Sequence, residues 1–260
     1  MIRTRIVPIL LLRGTGLVKG KNFKNHKYVG DPINAIKIFN EKEVDELVFL
    51  DISAGVEGRA PNFDVIGDIA SEAFMPFSYG GGLTSIDQIQ KVFSLGVEKV
   101  VINSAAFFDP NLIKISSQQA GKQSIVVSID VKKKFLGGYE VMVANGTKST
   151  NMNPVAYAER MEELGAGELI LTSIDREGTG KGYDISLVDQ VSRAVDIPVV
   201  AVGGAGSVDH LADVIRETSA SAVGAGDLFI FYGKHKAVLI NYPSYESFRS
   251  LLEKDIPDEQ

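Results

Sequence analysis

Asp130 closes a strongly apolar run, Ser124-Ile-Val-Val-Ser-Ile-Asp130. A carboxylate at the end of a buried strand loses hydration, which raises its pKa toward the range of a general acid or base. The plainer reading is an aspartate that caps the next loop, and position alone leaves the two level. Glycines cluster at Gly80-Gly-Gly82 and at Gly203-Gly204. Glycine lets a ligand oxygen come close to the backbone, and a helix N-terminus beyond it would aim amides at that oxygen. One such cluster is more often a tight turn; two at equivalent places point to a pair of anion sites. Cysteine is absent, which excludes disulfides, thiolate ligands and thiol nucleophiles and suits a reducing cytoplasm. His26, His210 and His235 lie far apart without ligand spacing, so neither a metal nor another cofactor is expected. Asp51 ends another apolar run and would orient loops or substrate, while Arg176 and Lys181 read as solvated loop charges.

These residues need a frame. Apolar runs at 5–11, 47–51, 75–79, 99–102, 124–130, 168–172, 198–202 and 222–225 read as strands buried on both faces. Amphipathic stretches of helical period separate most of them, at 32–40, 63–71, 86–94, 112–120, 154–164, 185–194 and 208–215. A last helix is expected at 244–254 with Ser244 as N-cap, and a frayed tail over 255–260. Eight alternations within 260 residues predict an α/β protein of the TIM (β/α)8 barrel class, with residues 1–260 forming one domain. The chain also echoes itself. Glu46-Leu-Val-Phe-Leu-Asp51 resembles Glu168-Leu-Ile-Leu-Thr-Ser173, Tyr79-Gly-Gly-Gly82 resembles Val202-Gly-Gly-Ala205, and Arg5-Ile-Val-Pro resembles Ser124-Ile-Val-Val. Offsets near half the chain imply two similar half-barrels. A net charge of −6 argues against nucleic acid or an anionic membrane as a general partner. The basic and apolar N-terminus reads as a buried strand in preference to a targeting segment, and no run approaches the roughly 18 residues of a membrane span.

The segments Arg5-Ile-Val-Pro, Val18-Lys-Gly20, Gly30-Asp-Pro32, Asp45-Glu-Leu-Val-Phe-Leu-Asp51, Ile102-Asn-Ser-Ala-Ala106, Gly165-Ala-Gly-Glu168 and Leu171-Thr-Ser-Ile-Asp-Arg176 resemble the cyclase subunit of imidazole glycerol phosphate synthase, in order and over nearly the whole chain. The resemblance implies a barrel that receives ammonia from a separate glutaminase and uses aspartates on strands one and five to cyclise a bis-phosphorylated substrate. It carries the strand-five aspartate onto Asp130, a substrate-facing lysine onto Lys19, one phosphate cradle onto Gly82, Asn103 and Ser104, and a second onto Gly178 and Gly204 with Glu177 beside them.

Two departures stand out. The strand-one aspartate is Leu11, which can carry no proton, and a positioned acid or base is worth roughly 10²–10⁴ in rate. The second cradle has Asp227 and Val202 where the family pattern has small hydroxyl residues, and a carboxylate there repels phosphate. At the opposite barrel face the resemblance implies an ammonia gate of Arg5, Glu46, Lys99 and Glu168, all with their charges, and Glu98 on the face that docks the glutaminase. The Ile-Leu-Leu-Leu and Gly-Leu-Val-Lys stretches look like a variant associated with bacterial surface-polysaccharide enzymes. That variant implies ammonia supply to a sugar amidotransferase. The other expectations are a genuine cyclase of histidine biosynthesis and a silent scaffold that activates a glutaminase.

Overall fold

In the computed structural model, which describes residues 4–253, eight parallel strands close into a barrel. They are β1 (Arg5–Arg13), β2 (Leu47–Asp51), β3 (Phe77–Gly80), β4 (Lys99–Ile102), β5 (Ile125–Lys133), β6 (Glu168–Ser173), β7 (Val199–Val202) and β8 (Ala222–Ala225). Each pairs with the next, and β8 pairs with β1, where Arg5 lies opposite Ala222. The helices α1 (Pro32–Glu41), α2 (Phe63–Glu72), α3 (Ile86–Ser94), α4 (Asn111–Ala120), α5 (Pro154–Glu163), α6 (Ile185–Ser192), α7 (Val208–Glu217) and α8 (Tyr245–Glu253) follow the strands in turn. Their starts are encoded locally. Asp31, Asn62, Ser85, Asn153, Asp184 and Ser207 each accept a backbone N–H of the first turn, and Ser85 with Gln88 completes a capping box. Ser244 accepts from Ser247 N, as its expected capping role requires. The expectations for 254–260 lie outside the described residues.

The strands sort their side chains by a period of two. In β1, Ile6, Leu10 and Leu12 pack outward among the helices, while Val7 and Ile9 meet Val48, Val101, Val126, Ile170, Val200 and Val202 inside the barrel. The inner cluster is aliphatic and separate from the larger shell between strands and helices. Along the inward row of β1 the order is therefore Arg5, Val7, Ile9, Leu11. An ion stands at the base, hydrocarbon in the middle and Leu11 at the mouth.

Three expected strand starts shift inward, Pro198 giving way to Val199, and four strands run one to three residues further than expected. Ser124 belongs to a short 3-10 turn (Lys122–Ser124), so β5 starts at Ile125. Met75 and Pro76 precede β3, because Pro76 has no N–H to give and contributes only its carbonyl, to Leu47 N. Two hairpins extend the barrel beyond the expected strands. One, Gly16–Lys21 with Lys24–Gly30, continues β1; the other pairs the far half of β5 with Tyr139–Val143.

Candidate active site and ion ring

At the C-terminal mouth a cavity of about 370 Å³ is lined by Leu11, Lys19, Leu50, Asp130, Thr172, Glu177, Val202 and Gly226, with Gly80, Gly81, Gly82, Asn103 and Ser104 along one side. The sequence-derived residues Asp130, Lys19, Gly82, Asn103, Ser104 and Glu177 are thus brought together. Leu11 faces the same space, so the missing carboxylate is absent from the place where it would act.

Asp130 is buried, and Asn103 Nδ2 donates to its Oδ2 at 3.1 Å while also donating to Ser128 O at 2.9 Å. Burial pushes the Asp130 carboxyl up to about 7, the Asn103 donor pulls it back, and the negative charge of Glu177 adds to the rise. It is therefore divided between acid and base near neutral pH. Ser104 Oγ donates to Asn103 Oδ1 at 3.0 Å and accepts from Ala144 N at 2.9 Å, which ties the strand-four loop to the β5 hairpin. Lys19 is also buried, and its Nζ donates to Ile9 O at 2.8 Å. Burial lowers its pKa, and the charges of Glu177 and Asp227 oppose that fall. Glu177 is shifted upward by burial, with Lys19 pulling down and Asp227 pushing up.

Glu177 is the residue whose place the sequence did not disclose. It is a second carboxylate on the cavity that holds Asp130, whereas the sequence put it only beside a phosphate cradle. Its loop is drawn inward because Asn22 N donates to Glu177 O at 3.0 Å and Gly178, at φ +69°, lies against Gly20 O. No sequence signal short of that tertiary contact could have found it.

Gly178 and Gly204 do not line the cavity. Each is required by packing: a Cβ on Gly178 would lie 2.5 Å from Gly20 O, and one on Gly204 would lie 2.1 Å from Gly182 O. Glycine at these positions is thus required by packing whether or not an anion binds there. Gly82 is constrained in the same way, with Arg59 O at 2.7 Å from its virtual Cβ, yet it does border the cavity. Asp227 also lies off the cavity lining. It opens the short helix Asp227–Ile230, where its Oδ2 meets Lys236 Nζ at 3.4 Å. Asp51 is a loop organiser: it accepts from Ser53 N, Ser53 Oγ and Ala54 N and pairs with Arg59 at 2.8 Å. Arg176 donates to Lys181 O at 3.3 Å. No group of three or more His, Asp or Glu side chains among the described residues is placed to hold a metal ion.

At the other end of the barrel, Arg5, Glu46, Lys99 and Glu168 form a closed ring of alternating charge. Arg5 Nη1 meets Glu46 Oε2 at 2.6 Å, and Arg5 Nη2 bonds Glu168 Oε1. Lys99 Nζ meets Glu46 Oε1 at 3.0 Å and Glu168 Oε2 at 2.7 Å, and Ser78 Oγ donates to Glu46. Every ion thus has two opposite neighbours, which offsets the desolvation of the two buried glutamates. Glu98 is exposed beside the ring.

The sequence matches the histidine biosynthesis protein family over residues 5–236. It is 52% identical over 243 residues to a Pseudomonas aeruginosa protein provisionally named imidazole glycerol phosphate synthase subunit hisF2, covering 94% of this chain and 97% of that one. The chain belongs to the HisF family. A HisF relative from Vibrio vulnificus, provisionally named hisF3, is 46% identical and covers 97% of this chain and 98% of its own. The imidazole glycerol phosphate synthase subunit HisF of Clostridium botulinum strain Okra is 41% identical, covering 95% of this chain and 98% of its own. The protein is thus a HisF-like synthase subunit. Among the described residues no helix is long and apolar enough to cross a membrane.

Proposed function

We propose that this HisF-family chain receives ammonia from a separate glutaminase docked at the barrel base and conveys it to the mouth, for amidation of a sugar in bacterial surface-polysaccharide synthesis. The observation that carries the reading is the pairing of the intact Arg5–Glu46–Lys99–Glu168 ring with Leu11 at the mouth. The base keeps what an ammonia entry needs, while the mouth lacks one of the two carboxylates that cyclisation needs. Glu98, exposed beside the ring, would belong to the glutaminase contact. Without cysteine the chain has no thiol for glutamine hydrolysis, so the nitrogen would come from another protein.

The ring would admit nitrogen when Lys99 swings away from its two glutamates. Beyond it the lining is Val7, Val48, Val101, Val126, Ile170 and Val200, which accepts neutral ammonia but penalises ammonium by the cost of desolvating a charge. At the mouth the molecule meets Asp130, held near neutrality. The remaining cradle of Gly82, Asn103 and Ser104 would hold a phosphorylated small molecule.

The alternative is a working cyclase, and one observation favours it. Glu177 faces the cavity of Asp130 and perturbs its ionisation, so it could stand in for the strand-one aspartate. Turnover of the bis-phosphorylated intermediate with ammonium salts and no partner decides between them: the conduit reading expects none. With nitrogen-15 glutamine and the glutaminase, it expects label in an acceptor product, and altered delivery in Arg5 and Lys99 variants. Label found only in free ammonia would leave a scaffold that activates the glutaminase.

A further inference from the structure

Eight of the twelve large apolar side chains exposed among the described residues lie in connections leaving the C-terminal ends of the barrel strands. Tyr28, Val56, Phe108, Phe135, Leu136 and Tyr232 come from five different connections, those after β1, β2, β4, β5 and β8, so they form an arc around the mouth and not a single patch. The most exposed pair is Phe135 and Leu136, at the tip of the β5 hairpin. Gly137 N donates to Lys134 O, and Lys134 N to Gly138 O, so this tip is a hydrogen-bonded turn with Phe135 and Leu136 at its two central positions. Those positions ordinarily go to Gly, Asn, Asp, Ser or Pro. Gly137 and Gly138, at φ +94° and +76°, supply the left-handed geometry, which leaves the two apolar side chains free to project.

Two hairpins on this face are basic although the chain is acidic, while Glu57 and Asp109 stand beside Val56 and Phe108. The first hairpin carries Arg13, Lys21, Lys24 and Lys27 with no acid between residues 13 and 30, and Lys132, Lys133 and Lys134 precede the Phe135–Leu136 tip. Apolar anchors beside two basic hairpins mark a surface that partners cover.

We propose that this arc is the docking surface for the enzyme that accepts the nitrogen, a protein presenting an apolar pocket rimmed with carboxylates around its own ammonia entry. This rests on the conduit reading above. The arc borders the cavity, so whatever covers it must keep the cavity open to a second site. A bilayer pressed on the same loops would stopper it. Ammonia released at an open mouth would meet water and protonate, which a sealed contact between the two proteins prevents.

The test uses the full chain with its glutaminase and the purified sugar amidotransferase of the same organism, supplied with nitrogen-15 glutamine. The variants are Phe135→Ser/Leu136→Ser and Lys132→Glu/Lys134→Glu, all at exposed hairpin positions outside the cavity lining. Both should leave glutamine hydrolysis unchanged, lower labelled product about tenfold or more, and regain product with added ammonium salts. Delivery by the unaltered chain should also fall as salt shortens the Debye length below about 8 Å. Unchanged delivery by both variants would overturn the proposal and leave the conduit standing. So would sedimentation of the chain alone with phosphatidylglycerol vesicles, or self-association of the chain that the serine variant abolishes. If the unaltered proteins put no label into any product, the conduit reading itself falls and the docking surface falls with it.

Discussion

Lys99→Met removes one cation from a ring in which two cations serve two carboxylates. Glu46 and Glu168 keep only about 7% of their side-chain surface, whereas Lys99 keeps 21% and Arg5 29%. Stripping a partner from a buried ion pair costs about 3–5 kcal/mol, because the remaining charge stays out of water. Here each glutamate retains one bond to Arg5 and the cations are partly wet, so the expected loss is about 2–3 kcal/mol. With a urea slope of about 3 kcal/mol per molar, the unfolding midpoint should fall by about 1 M. The companion Lys99→Met/Glu168→Gln is neutral again, leaving Arg5 with Glu46. Its loss should be smaller than the sum of the two single losses by about 1–2 kcal/mol. Urea unfolding followed by circular dichroism on the four proteins supplies every number. A loss under about 0.5 kcal/mol for Lys99→Met, or strict additivity in the pair, would refute the ring as a coupled network.

Asp130 makes stability depend on pH with a definite sign. Its native pKa of about 7 lies above the ordinary value of 3.8, so between these limits the folded state holds the extra proton and stability falls as pH rises. The Asp130→Asn variant should therefore gain on the wild type from pH 4 to pH 8, by at most about 4 kcal/mol; a flat difference would dispose of the shift. Removing the Asn103 donor with Asn103→Ala should move the Asp130 titration further up, as read by the carboxyl resonance in NMR. Gly226→Ala has no backbone strain at φ −111°, but its Cβ would sit 1.7 Å from Lys19 Nζ. Lys19 must then leave Ile9 O, lowering thermal stability by about 1–3 kcal/mol; an unchanged melting temperature would show that the lysine is already elsewhere. Leu11→Asp with Asp227→Ser should restore measurable cyclase turnover if those two departures are what removed it.

Much of the barrel was legible because strands buried on both faces read as unbroken aliphatic runs and helix starts carry their caps in the sequence. The hairpin strand Lys24–Gly30 was not. Its residues are mostly polar and exposed, and its pairing is a matter of backbone bonds to Gly16–Lys21, so no apolar alternation betrays it. The ion ring could be anticipated only through family resemblance, since charges at strand starts look like solvated ends until the barrel closes around them. Asp130 and Leu11 were placed correctly because strand period fixes which residues face inward. Glu177 was expected at the substrate site, but its approach to Asp130 was not legible because it depends on a loop pinned by a different hairpin. At Gly178 and Gly204 the sequence alone does not separate a glycine needed for close packing from one needed for a ligand, since both are the same letter.

The late loops interlock backbone to backbone. Virtual Cβ atoms on Gly203, Gly204 and Gly206 meet Ser173 O, Gly182 O and Gly180 O within 2.7 Å. Those three positions are thereby closed to amino-acid replacement, as are Gly80, Gly81 and Gly82 in the early loops, whose virtual Cβ atoms meet Val101 O, Asp51 O and Arg59 O within 2.7 Å. Change in what the cavity takes has to be written between these two glycine clusters, and a mutant library seeking altered selectivity should leave positions 80–82, 203, 204 and 206 untouched and randomise around Leu11, Leu50 and Ser104.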